Sequence, residues 1–332
     1  MNRSLRLLGV PIALVGLVVL VSGCSGLALL AAWDKWFADD DNNASSYHVY
    51  LDGYDLAVAA SVNGVFTLAG VSEGDYLVTV ALPPGMRRGL HSTVHITPGH
   101  SFSLRSENPF EGGVIKGTVR RDSSSGALLS GVRVVAVRNG ALLLTNSAPL
   151  TFPQAPGTSM DYMMGFTDSS GAYTLGPAQY GNWLVFAAAA GYAADAKYLS
   201  VQSGKDGTAA LVLTTGASVS TGVVRSNITN RSGSSLSEPL LSATLSTPFE
   251  PTISAATRTS VATVSGLTLP SGPWFRLDKL ATIGSTAGQC LLDLPVGTHS
   301  IEGFKYGYKA ASAQAIVTSG GVTTKDFSLV LN

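Results

Sequence analysis

The chain has 332 residues, room for two or three domains. Its 21 Lys and Arg balance its 21 Asp and Glu, so the formal net charge is zero and no basic field exists to collect nucleic acid. The local pairs Arg87–Arg88 and Arg120–Arg121 are too small to supply one and read as solvated surface.

Residues 1–23 read as a processing segment. Arg3 and Arg6 form a positive n-region, Leu7 to Val21 an apolar h-region, and Val21-Ser22-Gly23-Cys24 follows. These four residues resemble the bacterial lipobox. The resemblance implies cleavage before Cys24 once its sulfur carries diacylglycerol, so the lipid bilayer is the expected partner through acylated Cys24. Left uncut, the apolar run continues through Gly26 to Ala32 and is long enough to span a bilayer. Both readings place the body outside the cytoplasm. Ser25 stands where many Gram-negative lipoproteins carry a sorting residue, and serine there resembles outer-membrane delivery.

Residues 24–46 form the expected lipidated N-terminus and spacer. Trp33 and Trp36 either sit at the lipid headgroups or pack on the first module. Asp39, Asp40 and Asp41 start like a calcium loop, but no D-x-[DN]-x-[DN]-G-x5-E order follows, so they read as a hydrated spacer.

From there one pattern occurs three times. Gly64, Phe66 and Leu68 with Gly74, Tyr76 and Val78 match Gly171, Tyr173 and Leu175 with Gly181, Trp183 and Val185. The third copy is Gly288, Cys290 and Leu292 with Gly297, His299 and Ile301. Each copy reads as a strand, a turn and a second strand with one buried face, and a recurrence of this kind is a repeat signal. Later turn glycines recur too, at Gly99, Gly204 and Gly320. The expected modules are 47–110, short or partial, then 111–215, then 216–332. Two stretches depart from the repeat: Leu142 to Met164, with three prolines, and the Ser/Thr-rich Val224 to Leu280. Helices are almost absent from this reading; AAAAGYAA follows a strand and keeps the period-two context. The fold class is therefore all-β, in tandem antiparallel β-sandwich modules.

In the second module GTVR, ALLSGVRVVAV, TDSSGAYTL and the closing G-Y and V-x-S-G elements are similar to carboxypeptidase regulatory-like domains. The resemblance implies a prealbumin-like or Ig-like sandwich. It covers Gly113 to Thr215 well, the second half of the third module moderately and the first module weakly. It implies no chemistry, because the motif residues serve turns and core.

Catalytic and metal patterns are not found. His91 and His95 on one strand lie about 13 Å apart, too far to share a zinc ion, and a return at Pro98-Gly99 that brings His100 nearer leaves that gap. GSTAG at Gly284 has threonine where a nucleophile elbow has serine. Asp161, Asp168, Asp278, Glu302 and Asp326 sit in turns and exposed settings with no common pocket. Cys290 takes the inward position of Phe66 and Tyr173 and reads as a core thiol; with Cys24 acylated, no internal disulfide remains. Some bacterial surface sandwiches carry a Lys to Asn isopeptide bond. Lys116 is placed for one, but the closing strand AALVLTT lacks asparagine, and Asn332 faces a first strand, ASVSTGVV, without lysine.

The expectation is thus a non-enzymatic, lipid-anchored extracytoplasmic protein, without cofactor, acting as a structural spacer or interaction scaffold toward an envelope protein or glycan. The alternative is carbohydrate binding on an aromatic platform of Trp274, Phe275, Tyr306 and Tyr308, and an enzyme with a site between modules ranks below both. Recognition is expected in the two irregular stretches.

Overall fold

A computed structural model describes residues 16–20, 27–30, 48–51, 58–59, 66–69, 74–82, 88–96 and 101–105, and residues 110–331 apart from 147–148, 153–160, 217–218 and 306–307. The first part holds Gly16–Leu20 (β1), Leu27–Leu30 (β2), His48–Leu51 (β3), Val58–Ala59 (β4), Phe66–Ala69 (β5), Gly74–Leu82 (β6), Arg88–Ile96 (β7) and Ser101–Arg105 (β8). The antiparallel order β4-β3-β6-β7 makes one sheet, while β5 pairs with β2 and β8 with β1. The front strand for which residues after 47 leave little room comes from upstream: β2 lies in the expected spacer and β1 in the expected leader. The sheet then runs on into the next module through Gly89 beside Phe110.

The second module comprises Phe110–Arg121 (β9), Arg133–Arg138 (β10), Gly140–Asn146 (α1), Leu150–Phe152 (β11), Tyr162–Phe166 (β12), Ala172–Gln179 (β13), Gly181–Ala188 (β14), Tyr192–Ala193 (β15), Asp195–Val201 (β16), Gly207–Thr208 (β17) and Leu211–Thr215 (β18). The third comprises Thr221–Asn230 (β19), Leu240–Phe249 (β20), Ala255–Ser265 (α2), Phe275–Ile283 (β21), Gln289–Pro295 (β22), Gly297–Phe304 (β23), Ala311–Val317 (β24), Val322–Thr324 (β25) and Phe327–Leu329 (β26).

The repeat seen in sequence is a repeat of topology. The order β12-β10-β14-β16 recurs as β21-β20-β23-β24 and matches β4-β3-β6-β7. Opposite it, β13 and β22 lie antiparallel to β9 and β19. The repeat glycines make the corners: Gly171 and Gly288 have φ of 68° and 78°, Gly181 and Gly297 138° and 150°, conformations that cost a residue with a Cβ. One departure from antiparallel order occurs in both modules. The last strands β17 and β18 run parallel to β9, and β25 and β26 run parallel to β19.

Inside the second module Val134, Ala136, Tyr173, Trp183, Val185, Ala187 and Leu211 share one core. The repeat positions two residues after the second glycine do the same job in both modules. Trp183 Nε1 donates to the Gln179 carbonyl at 2.9 Å and His299 Nε2 to the Pro295 carbonyl at 2.8 Å, each reaching back four residues from a buried ring.

Two sequence expectations change. The irregular stretch in the third module is narrower than Val224 to Leu280, because β19, β20 and the start of β21 are regular repeat strands; only about residues 250–274 depart. That departure contains α2, which the strand-only reading missed. Ser254 caps it by accepting from the Thr257 amide at 3.0 Å, and Gly266 ends it with φ of 70°.

Candidate functional site

The most elaborate arrangement among the described residues is the seam between the second and third modules. It begins with β10 and β14, which are apolar on both faces. Val134, Ala136, Trp183 and Val185 point into their own sandwich, whereas Val135, Val137, Leu184, Phe186 and Ala188 join a second cluster that is the core of the third module. A strand buried on both faces reads as an unbroken apolar run, and WLVFAAAA is one. The expectation of one buried face per strand fails here for that reason. The equivalent outer face of the third module sets Ser242, Thr244, Ser300 and Glu302 beside Leu240 and Phe304, so its apolar surface is interrupted by polar residues.

Both irregular stretches are used to build this seam. From the second module α1 turns Ala141 and Leu144 inward, and β11 pairs parallel with β21 of the third module, Leu150 beside Phe275 and Phe152 beside Leu277. From the third module, Ile253 bridges to Ala194, the Ala194 amide donates to the Thr252 carbonyl at 2.9 Å, and α2 packs along β16. Aromatic rings fill the centre. Phe186 stacks on Phe275, Phe152 meets Tyr162 edge-on at 5.3 Å, and Trp274 meets Phe275 edge-on at 6.2 Å.

One buried carboxylate pins the two modules. Asp195 Oδ1 accepts from Thr257 Oγ1 at 2.8 Å and from the Ala196 amide at 2.9 Å, while Oδ2 accepts from the Val212 amide at 3.0 Å and lies 3.7 Å from Lys197 Nζ. A carboxylate so deep is tolerable because its lone pairs are filled.

The expected glycan platform is not a surface. Trp274 and Phe275 are both 0% exposed. Trp274 Nε1 donates to the Pro270 carbonyl at 3.0 Å, and the guanidinium of Arg258 covers its ring at 5.2 Å. No ring face is left for a sugar, because the seam needs both side chains as core. Tyr308 is half-buried against the same core, and Tyr306 lies outside the described residues, as do Cys24 and Gly64. Phe66 opens β5, Gly74 opens β6 and Tyr76 lies beside Val94.

The remaining chemistry is structural in character. Burial pushes the Cys290 thiol up to about 12, and its Sγ faces the Pro239 carbonyl at 3.7 Å. Tyr173 donates to the Ala209 carbonyl at 2.7 Å and titrates above its ordinary range, through burial and then the Asp195 charge. Lys116 Nζ forms a half-exposed ion pair with Asp206 at 3.2 Å. His91 and His95 both lie on β7. A cleft of about 100 Å³ opens beside the seam between Leu129, Arg133, Tyr192, Thr282 and Asp293. That is space for a few waters, below the roughly 300 Å³ at which small-molecule pockets begin.

Sequence reasoning missed Phe152, Phe186, Asp195, Ile253 and Thr257. The unbroken apolar run was the available signal for Phe186; nothing local marks the others, whose partners lie far along the chain.

No family model matches the sequence, and no curated protein matches it. Among solved structures it is similar to the Bacillus anthracis TIE protein, with 12% identity and a TM-score of 0.22 over 97% of this chain and 59% of that one. The chain thus spans less than two thirds of that protein. A streptococcal ancillary pilin gives 15% identity and a TM-score of 0.23, over 83% and 80% of the two chains. The shaft pilin SpaA of Lactobacillus rhamnosus GG gives 11% and 0.23, over 67% and 98%. These are loose superpositions, and the sandwich architecture rests on this chain's own strands.

Proposed function

We propose that this protein is a membrane-anchored extracytoplasmic spacer or scaffold whose second and third modules act as one rigid body. The observation that supports the reading is the continuity of the third module's core with the outer face of the second. A flexible tether needs no such seam, and inter-domain motion is the default where the interface is small and polar. The stretches that break the repeat are spent on holding the modules together, which favours a spacer over a recognition surface built from them. Anchoring rests on the lipobox-like residues ending at Cys24. No helix among the described residues is long and apolar enough to cross a membrane. Processing before Cys24 would remove β1 and leave β2 to pair with β5.

Spin labels at the exposed positions Ser203 and Ser319, in a Cys24→Ser background, test the rigid body. One narrow distance distribution is expected, and a broad one rejects the reading. Incorporation of labelled fatty acid that disappears in Cys24→Ser tests the anchor.

A further inference from the structure

In the second and third modules the first and last strands are neighbours, and they run the same way. In the second module Gly207 and Thr208 pair with Ile115 and Lys116, and Leu211 to Leu213 pair with Val119 to Arg121. In the third, Val322 to Thr324 pair with Val223 to Arg225, and Phe327 to Leu329 with Ile228 to Asn230. Because the paired strands are parallel, the chain comes in at one end of the pair and leaves at the other. A pull along the chain draws β9 by its start and β18 by its finish, in opposite directions along one ladder. All the bonds between them then take the load together in shear. Had the two ends lain at the same end of the pair, the bonds would open singly.

Side chains fasten the same strand pair. Asp206, just before β17, accepts from the Val114 amide at 3.3 Å and pairs with Lys116 on β9. At the far end Asp122 Oδ1 accepts from the Thr215 amide at 2.7 Å and its hydroxyl at 2.8 Å. The third module repeats the device with different residues. Asp326, between β25 and β26, accepts from the Asn227 amide at 2.8 Å and from its Nδ2 at 3.1 Å, and Ser328 Oγ donates to the Asn230 carbonyl at 3.2 Å. Gly117 permits the close approach, since a Cβ there would lie 1.8 Å from the Ala209 carbonyl oxygen.

From this geometry we infer that the protein bears tension along its length, the second and third modules each resisting extension through their first and last strands. The inference rests on the spacer reading and adds a mechanical role to it. Such a spacer would join the surface that holds its N-terminal end to a partner that pulls on the other.

Single-molecule extension of the full chain tests this. Thiol handles at Cys24 and Asn332→Cys pull end to end. Handles at Cys24 and Ser203→Cys, the latter in the turn before β17, pull the second module from the end where β9 begins. A module of about 100 residues releases roughly 350 Å of chain, which identifies its step. End-to-end pulling is expected to open the second module at several-fold higher force than the Ser203 geometry. Asp122→Ala, which frees the far end at Thr215, should lower the first force and leave the second unchanged. Equal forces in the two geometries, or an equal drop in both, overturns the inference. A narrow label distance with low end-to-end force removes the mechanical role and leaves the spacer; a broad distance with high force removes the rigid coupling of the modules and leaves a jointed spacer that bears tension.

Discussion

The rings of Phe186 and Phe275 stack with centroids 3.5 Å apart and planes 9° from parallel, and they belong to different modules. Both are essentially unexposed, so the seam has the character of a protein core. Replacing either with alanine is expected to cost about 3–5 kcal/mol. The double variant should fall short of the sum by about 0.5–1.5 kcal/mol, the coupling of an aromatic pair. Amide exchange followed through a denaturant titration checks this. In the parent chain β14 and β23 should lose protection in one transition; in Phe275→Ala they should separate. Two transitions in the parent would refute the single-body reading.

What the sequence makes legible follows from what is local. The glycines at 171, 181, 288 and 297 announce corners because the backbone there requires positive φ, and Tyr173, Trp183, Cys290 and His299 are buried where the alternation puts them. The seam depends on partners distant in the chain: Phe152 beside Leu277, Asp195 beside Thr257. Trp274 and Phe275 illustrate the cost. As a dipeptide after Ser-Gly-Pro they read equally as a platform or a plug, and only the neighbouring module decides. The α2 helix was legible in principle from Ser254 and Gly266, yet its Ala, Thr, Ser and Val residues give little apolar stripe.

The bond from Thr257 to Asp195 makes a second test. Thr257→Val keeps the shape and removes a donor to a buried carboxylate, an expected loss of about 1–3 kcal/mol. Thr257→Ser restores the hydroxyl and should recover most of it. Asp195→Ala should cost more than Thr257→Val, because it strands the Val212 amide and the Thr257 hydroxyl together. Thermal unfolding of the three variants ranks them, and equal losses for valine and serine would show that the hydroxyl contributes nothing.

Acid should loosen the turns that Asp122 and Asp168 organise. The Thr215 amide, then its hydroxyl, hold Asp122 below its ordinary value. The Ser170 hydroxyl, then the Ala172 and Ser170 amides, do so for Asp168. A carboxylate with a depressed folded value contributes stability that is complete above its unfolded value, about 3.9, and is lost as pH falls through the folded value. The double variant Asp122→Asn, Asp168→Asn should therefore show a shallower fall in melting temperature below about pH 4 than the parent, with parallel curves above about pH 5. Parallel curves throughout would mean that neither charge is coupled to folding.

Cys290 should behave as a thiol that reacts only when the third module opens. It is fully buried, its pKa is pushed up to about 12 by burial, and its Sγ lies against the Pro239 carbonyl. Reaction requires thiolate, and at neutral pH both the small thiolate fraction and the closed core oppose it. A maleimide added to a Cys24→Ser chain should leave Cys290 unmodified in the native state and label it fully in denaturant. At intermediate denaturant the labelling rate should follow the exchange of β22, the strand that carries it. Cys290→Ala should cost stability through the lost packing, and Cys290→Ser should cost more, because a hydroxyl, costlier to bury than a thiol, arrives in a fully buried site where Sγ has only a long 3.7 Å contact to the Pro239 carbonyl. Rapid labelling of the native chain would instead show that the thiol is reachable and free to serve chemistry.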